Sequence, residues 1–466
     1  MSATRRRHGS RVGFAGVLGG VLALVVGVGV VPAGPVGAQV PRAVPAAMVE
    51  GPVPGTVPGD PLAPEVEDTY PFFSTYLDLA AQGYVEQEFI LSGAADAYSA
   101  TGALVGEDVP YRTRIVVRRP ERNRQFNGTV LVEWQNVTAG YDLDALWSPD
   151  QIMDRGYAWV GVSAQRVGVD QLAGWSPARY GTLDVTGGRT FMADEMSYDV
   201  FSQAAQALRA PQGVDPLGGL RVDNLLAIGA SQSAGRMAIY YNAVLPQIEP
   251  VFDGYGFVVG AAPTRVGPEP VFQILSETDV RTPTRPEDTD HFRRWEVAGA
   301  AHSGFAGQVY RRPLAERDLG PPAPVECTRP PFSRVPLHQV LGAAYDHLVR
   351  WVEDGTPPPT AEPLAFNPDG TKARDAIGVA RGGIRLSQVE VPTAVNTGDN
   401  GGAGFCRLFG SHEPFDAATL DQIYPSHDGY AAMVKSVGLA NVAAGYIGAE
   451  DEHRNRVEAN RSDVGG

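Results

Sequence analysis

The chain has 466 residues, a formal net charge of −15 at pH 7 and two cysteines. Such a negative charge favours solubility and disfavours binding to nucleic acid or to anionic surfaces. The length is large for a single domain, but one core with an added region can accommodate it. The sequence has no Cys/His cluster with the spacing of zinc ligands and no glycine-rich phosphate loop. We therefore expect neither a metal nor an organic cofactor.

Residues 1–38 are predicted to be an export signal rather than part of the fold. Four arginines precede an apolar run at 12–31, and small residues at 36–38 offer a cleavage site. The pattern predicts a secreted or cell-envelope protein that has no membrane contact after cleavage. Because the apolar run is long for a cleaved signal, an uncleaved membrane anchor is the alternative. Residues 39–65 are predicted to be a linker that leads into the domain near Val49.

Short apolar runs alternate with segments of helical spacing along the middle of the chain. The predicted strands cover residues 84–91, 111–118, 128–134, 157–164, 222–228, 252–259, 271–276 and 295–298. The predicted helices cover residues 145–155, 197–208, 232–244, 335–354 and 430–447. Strands that alternate with helices indicate an α/β fold with a mainly parallel sheet covered by helices on both faces.

The rhythm of strands and helices changes after residue 303, which suggests a division of the chain. We expect an α/β core at 66–305 and a C-terminal elaboration at 306–450 that packs on it. Many prolines occur in 311–335, and loops with short strands are expected over 356–430. Residues 451–466 are predicted to be a polar tail.

The most informative segment is Leu-Leu-Ala-Ile-Gly-Ala-Ser-Gln-Ser-Ala-Gly at 225–235. Four apolar residues predict a buried strand, and a predicted helix begins just after Ser231. A serine on a tight strand-to-helix turn is how an α/β-hydrolase presents its nucleophile. Small residues must flank that serine two positions away on each side, and Gly229 and Ser233 meet this need. Ser233 is the rival nucleophile, but it would lie two residues inside the helix.

An acid and a histidine follow the serine in the chain order that this fold requires. Asp279 lies three residues past the strand that ends at Ser276, and Glu277 is the alternative acid. His302 ends a loop of small residues after a short strand, which suits a base that must reach the serine hydroxyl. The acid would hold the histidine ring in the correct tautomer.

A hydrolase of this kind also needs two backbone N–H donors for the oxyanion. The residue after the nucleophile, Gln232, would supply one of them. The loop after the strand at 128–134 would supply the other, from Asn136 or Val137. The alternative is that Asn136 only packs and forms hydrogen bonds at the end of the strand.

Cys327 and Cys406 are the two cysteines of the chain. In an exported protein an even number of cysteines suggests one disulfide. The alternative is a pair of buried free thiols. A Cys327–Cys406 bond would tie together two halves of the C-terminal elaboration.

Several segments together resemble a secreted bacterial family known as the "alpha/beta hydrolase domain" proteins. The matching segments are 84–93, 130–137, 197–204, 229–236, 346–357, 382–386 and 406–410. The resemblance covers about residues 50 to 450 and implies one continuous hydrolase unit of the α/β-hydrolase fold, with the later region as an integral part. Ser231 occupies the first serine of the family's motif. The chain departs from that motif because Ala234 precedes Gly235, which shifts Arg236 by one position.

These observations together predict an exported serine hydrolase that cleaves carboxylic esters of small molecules through an acyl-enzyme. Two alternatives remain at this point. An amidase or peptidase would use the same triad, and a catalytically silent envelope protein could use the fold only to bind a ligand. The oligomeric state does not follow from the sequence.

Overall fold

The computed structural model of the chain describes residues 41–56 and 59–466, so the signal predicted at 1–38 lies outside the described residues. Twelve strands are present in that part of the chain. They are β1 Met48–Glu50, β2 Tyr84–Tyr98, β3 Leu104–Pro120, β4 Thr129–Trp134, β5 Ala158–Val162, β6 Gln212–Gly213, β7 Asn224–Ala230, β8 Gly254–Val258, β9 Val271–Ser276, β10 Phe292–Val297, β11 Ala394–Thr397 and β12 Ser411–Pro414.

Ten of these strands form one sheet in the order β10-β9-β8-β7-β4-β5-β3-β2-β1-β6. The six strands from β10 to β5 run parallel to their neighbours. The strands β3, β2 and β1 pair antiparallel on the other side, and β6 pairs parallel with β1. The mainly parallel sheet predicted from the sequence is therefore confirmed. The strands β11 and β12 form a small antiparallel pair of their own.

Helices cover both faces of the large sheet, as the sequence predicts. They are α1 Pro149–Asp154, α2 Arg166–Trp175, α3 Pro177–Tyr180, α4 Ser197–Arg209, α5 Gln232–Ile239, α6 Phe305–Leu319, α7 Leu337–Asp354, α8 Ser387–Glu390, α9 Cys406–Phe409, α10 Ala417–Ile423, α11 His427–Ala443 and α12 Ala449–Arg461. A short π-helical turn, Tyr240–Val244, continues α5.

The central strands are buried on both faces, which explains their unbroken apolar sequences. Every residue of β4, β7, β8 and β9 is buried. Along β7, Leu226 and Ile228 join the hydrophobic cluster that contains α7, while Leu225 and Ala227 join the cluster that contains α4. This alternation follows from the two-residue period of a strand. It fixes which side of the sheet each helix covers.

The C-terminal region contains more helix than the sequence predicts. Residues 305–319 form α6, which was not predicted, and this helix includes Pro313 from the proline-containing segment 311–335. Residues 449–461 form α12 rather than a trailing polar tail, because the buried Asp451 of α12 binds Arg155 at 3.0 Å. The described residues include no helix that is both long enough and apolar enough to cross a membrane.

A buried group of charges joins β2, β3 and α3. The carboxylate of Glu88 accepts from Arg114 at 2.8 Å and from Arg179 at 2.6 Å, and Tyr180 donates to it at 2.7 Å. The side chains of Glu88 and Arg179 are completely buried, and that of Arg114 nearly so. Breaking such a group is costly because it leaves a charge buried without a partner. These contacts hold the N-terminal strands against α3.

The substitution Glu88→Ala tests this role. Removal of the carboxylate leaves the buried guanidinium of Arg179 without a counter-charge and that of Arg114 with only Asp142 at 3.9 Å, and we expect the free energy of unfolding to fall by about 3–5 kcal/mol. Urea denaturation followed by circular dichroism measures the change. The control is Arg221→Ala, because that side chain is 86% exposed and pairs only with the half-exposed Asp223. Equal denaturation midpoints for the two variants would contradict the prediction.

Candidate active site

The loops that follow the parallel strands meet at one edge of the sheet, because neighbouring parallel strands end on the same side. The candidate nucleophile follows β7, the candidate acid follows β9 and the candidate histidine follows β10. The proposed oxyanion loop follows β4, which lies beside β7. The sheet therefore brings the loops that carry the candidate catalytic residues to a common edge.

Ser231 lies at the sharp turn between β7 and α5. Its backbone has φ 58° and ψ −113°, a conformation that residues other than glycine rarely adopt. Its N–H donates to the carbonyl of Val258 at 2.9 Å, which anchors the turn to β8. Such strain persists where the surroundings over-determine it, and it concentrates at functional sites. The turn has the form expected of a nucleophile elbow.

Two glycines make room for this turn. A Cβ atom at Gly229 would lie 2.6 Å from the sulfur of Met237, inside α5. A Cβ atom at Gly260 would lie 2.7 Å from the backbone oxygen of Ser231. The need for a small residue at 229 was anticipated from the sequence, whereas that at 260 was not, because Gly260 lies 29 positions after Ser231, on the loop after β8. Gly235 has open space around it.

Ser233 is fully buried in the first turn of α5, and its hydroxyl has no hydrogen-bond partner among the described residues. Ser231 is partly exposed. A nucleophile must meet its substrate, so burial disfavours Ser233.

Arg236 binds Asp194 at 3.0 Å and thereby ties α5 to the loop before α4.

His302 and Asp279 are hydrogen-bonded, with 2.8 Å between Nδ1 of the ring and a carboxylate oxygen. The other oxygen of Asp279 accepts from the hydroxyl of Ser276 at 2.6 Å. The backbone N–H of His302 donates to the hydroxyl of Thr278 at 3.1 Å. These contacts hold the carboxylate and the ring in one arrangement. An acceptor at Nδ1 places the proton there and leaves Nε2 as the basic nitrogen.

Glu277, the alternative acid, has different partners. Its carboxylate accepts from Arg374 at 2.7 Å and from the backbone N–H of Gly299 at 2.7 Å. The Glu277 side chain is completely buried. Burial lowers the pKa of Arg374, but the attraction of Glu277 and Asp399 outweighs it, so the pKa of Arg374 is raised overall. Glu277 thus joins the acid loop to the C-terminal region, and no hydrogen bond connects it to His302 in the part of the chain that the structure describes.

Ser231 and His302 are not joined by a hydrogen bond in the described part of the chain. Catalytic hydrogen bonds are often long in a protein without substrate and tighten when the substrate binds. The strands β7 and β9 are separated only by β8, and adjacent strands lie about 4.8 Å apart. Only β8 therefore separates the serine turn from the acid loop that binds His302, while the histidine loop itself follows β10, one strand further along the same sheet.

The expected oxyanion donors lie on the turn after β7 and the loop after β4. The N–H of Asn136 donates to the carbonyl of Leu143 at 3.2 Å, so this N–H is already used. The Asn136 side chain donates to the carbonyl of Ala230 at 2.9 Å and thus links the loop to the serine turn. Among the described residues, the backbone N–H groups of Val137 and Gln232 do not donate to a carbonyl of another loop or strand, so both remain candidate oxyanion donors.

Gln165, at the end of the loop after β5, joins these two donor segments. Its side chain donates to the side chain of Gln232 at 3.1 Å and accepts from it at 2.5 Å. It also donates to the backbone carbonyl of Gln135 at 3.2 Å. Gln165 is completely buried. One side chain therefore connects the residue after Ser231 to the start of the β4 loop.

Buried carboxyl groups lie under the same loop. Burial raises the pKa of Glu133 to about 8, although Trp159 and the N–H of Leu146 donate to its carboxyl. Burial also raises the pKa of Asp142, and the charge of Arg114 and the hydrogen bond from Ser163 partly counteract this rise. These groups accept hydrogen bonds from neighbouring segments and hold the loop to the sheet.

Among the described residues, no group of three or more His, Cys, Asp and Glu side chains is arranged to hold a metal ion.

The C-terminal region contacts the acid and histidine loops directly. The hydroxyl of Thr278 donates to the carbonyl of Gly398 at 2.6 Å, and the N–H of Ser303 donates to the carbonyl of Leu408 at 2.9 Å. Leu408 belongs to α9, which begins at Cys406. Cys406 is bonded to Cys327, with 5.3 Å between the two Cα atoms. The disulfide expected from the sequence is therefore present, and it braces the helix that contacts the histidine loop.

Several residues of the site were missed in the sequence. Thr278, Gln165 and Arg374 act through hydrogen bonds to segments that are distant in the chain, whereas Ser276 binds Asp279 three residues later. Only Ser276 carried a signal, since a polar residue ending a buried strand just before the candidate acid suggests a partner for that acid. The others are ordinary loop residues when seen in the sequence alone.

The model of the family described as "Alpha/beta hydrolase domain" matches residues 49–456. No curated protein sequence matches the chain. Solved structures with distant similarity include a prolyl endopeptidase (10% identity, 52% of this chain and 34% of that chain, TM-score 0.27). A glucuronoyl esterase from Teredinibacter turnerae T7901 has 10% identity over 51% of this chain and 63% of its own, with a TM-score of 0.27.

The esterase Est22 has 9% identity over 42% of this chain and 64% of its own, with a TM-score of 0.26. The matched regions span less than two thirds of each of these three structures. At such scores they carry no argument about activity. The family model, in contrast, covers most of the chain, and its description agrees with the mainly parallel sheet covered by helices. The chain belongs to the alpha/beta hydrolase domain family.

Proposed function

We propose that this protein is an exported serine hydrolase that cleaves carboxylic esters of small molecules through an acyl-enzyme. The observation that carries the proposal is the strained turn at Ser231, at the same sheet edge as a histidine bonded to an aspartate. A positive φ at a serine between a strand and a helix has a cost that a merely structural turn avoids by using glycine.

In the proposed reaction, Nε2 of His302 takes the proton of the Ser231 hydroxyl as its oxygen attacks the ester carbonyl carbon. The N–H groups of Gln232 and Val137 stabilise the oxyanion. The C–O bond to the alcohol then breaks, and His302 gives its proton to the departing oxygen. Water, deprotonated by His302, releases the acid from the serine in the second half of the reaction. Asp279 stabilises the charged ring throughout.

The proposal of export rests on two observations. The basic and apolar pattern of residues 1–38 is typical of an export signal. The Cys327–Cys406 disulfide is of a kind that persists in oxidising compartments outside the cytosol. We therefore place the mature protein in the cell envelope or the surrounding medium.

The substitutions Ser231→Ala and Ser233→Ala separate the two candidate nucleophiles. We expect Ser231→Ala to lower kcat on a short-chain 4-nitrophenyl ester by a factor of at least about 10⁴, since the attacking oxygen is removed. Ser233→Ala removes a hydroxyl without a partner and should retain activity and labelling by a fluorophosphonate probe. Loss of labelling in Ser233→Ala with full labelling of Ser231→Ala would reverse the assignment. The matching 4-nitroanilide, assayed in parallel, tests the preference for ester over amide.

The substitutions Asp279→Asn and Glu277→Gln separate the two candidate acids. Asparagine at 279 keeps the shape but favours the wrong histidine tautomer, so we expect kcat to fall by a factor of about 10⁴. Glutamine at 277 weakens the buried pair with Arg374 and should lower the thermal midpoint of unfolding instead. A large loss of kcat in Glu277→Gln, with Asp279→Asn near wild type, would assign the acid to Glu277.

The substitution Gln165→Ala tests whether Gln165 positions the oxyanion donors. Loss of its bonds to Gln232 and Gln135 should lower kcat about tenfold, a fraction of the effect of removing a donor itself, and leave KM nearly unchanged. The inhibition constant of a trifluoromethyl ketone should rise in parallel, because that compound mimics the oxyanion. The control is Gln171→Ala on α2, where the side-chain oxygen has no partner among the described residues. A change in KM alone would argue against a positioning role.

A further inference from the structure

A cavity of about 450 Å³ borders the acid loop. One wall is formed by residues that flank Asp279, including Thr278 and Arg281. The opposite walls come from the C-terminal region, with Phe366, Lys372, Asp399 and Arg407 among them. The cavity thus lies where the hydrolase core and the C-terminal elaboration meet.

The residues that line this cavity carry more positive than negative charge, although the chain as a whole has a net charge of −15. Arg281 and Arg407 are exposed, and neither has an ion pair with a carboxylate in the described ranges 41–56 and 59–466. Lys372 binds Asp399 at 2.9 Å, but that carboxylate is shared with Arg374 at 2.7 Å. Positive groups therefore outnumber the carboxylates that could neutralise them. A concave surface with an excess of one sign of charge attracts ligands of the opposite sign.

The chemistry of the walls narrows the class of ligand. Guanidinium groups bind carboxylates through paired N–H donors, and two of them line this cavity, Arg281 from the acid loop and Arg407 from α9. The half-buried ring of Phe366 adds an apolar surface against which a carbon chain or ring can pack. A compact organic group that carries a carboxylate fits both features.

Two residues that line the cavity form hydrogen bonds to the histidine loop. Thr278 accepts from the N–H of His302 at 3.1 Å, and Leu408, which also lines the cavity, accepts from the N–H of Ser303 at 2.9 Å. Arg407 directly precedes Leu408. A group held in the cavity would therefore lie against the loops that carry the acid and the histidine.

We propose that this cavity is a subsite for the carboxylate of an ester substrate, with Arg281 and Arg407 as its main ligands and Lys372 as a supporting charge. The inference rests on the proposed function, since it names the substrate class of that same site. The carboxylate can belong to the acid half of the ester, as in a half-ester of a dicarboxylic acid. It can equally belong to the alcohol half, as in an acylated hydroxy acid.

Two matched pairs of substrates test the proposal. For the acid half, 4-nitrophenyl hemiglutarate is compared with 4-nitrophenyl valerate. For the alcohol half, 4-acetoxybenzoate is compared with its methyl ester. We expect the wild type to prefer the carboxylate in one pair, with a preference that shrinks when salt is added. Arg281→Gln and Arg407→Gln should each lower the ratio of kcat/KM for the charged and neutral members about tenfold, mainly through KM.

The control variant is Arg221→Gln, whose side chain is 86% exposed and far in sequence from the cavity residues. It should leave both ratios unchanged. A double variant of Arg281 and Arg407 that keeps the wild-type ratio in both pairs would overturn the subsite.

A binding measurement separates this inference from the proposed function. Calorimetry with Ser231→Ala measures the affinity for glutarate and for 4-hydroxybenzoate without turnover. We expect one of them to bind, and Arg281→Gln in the same background to weaken binding about tenfold. Absence of binding, or binding that Arg281→Gln leaves intact, overturns the subsite. Full esterase activity in Ser231→Ala overturns the proposed nucleophile instead.

Discussion

The backbone of Ser231 has a left-handed φ that a side chain normally avoids, and much of the surrounding structure serves to hold it there. A conformation of this kind costs on the order of 1–3 kcal/mol, and it persists only when its surroundings leave no alternative. The turn is fixed at one end by β7, buried along its whole length, and at the side by the bond to Val258. Gly229 and Gly260 provide the space that the bend requires. The strain is offset by the burial of the central strands.

Buried charges hold the loops on either side of this turn. Under the β4 loop, Arg114 joins Glu88 to Ser163 and to the neighbourhood of Asp142. Under the acid loop, Glu277 joins Arg374 to the backbone of Gly299. A buried charge is stable only when its partners are in place, so each group favours a single arrangement of the segments it connects. The proposed oxyanion donors and the histidine–aspartate pair are thereby positioned by electrostatics as well as by packing.

The C-terminal elaboration is part of this framework. It supplies Arg374 to the acid loop, and the carbonyl groups of Gly398 and Leu408 to the acid and histidine loops. The family match, which runs through residue 456, is consistent with a single functional unit. The cavity between this region and the acid loop gives the elaboration a second proposed role, in the choice of substrate. The disulfide from Cys327 to Cys406 then stabilises both the histidine loop and the helix that carries Arg407.

The sequence by itself determined the α/β class, the parallel sheet, the turn at Ser231 and the disulfide partners. These features depend on local patterns: unbroken apolar runs, small residues around one serine and a count of two cysteines. Only the tertiary structure decided that Asp279 rather than Glu277 bonds to His302, that the N–H of Asn136 is already used, and that residues 449–461 pack as a helix. The sequence alone also did not indicate the roles of Gln165, Gly260 and Arg374. Their roles depend on which loops meet at the sheet edge, and that follows from strand order, which a local pattern does not encode.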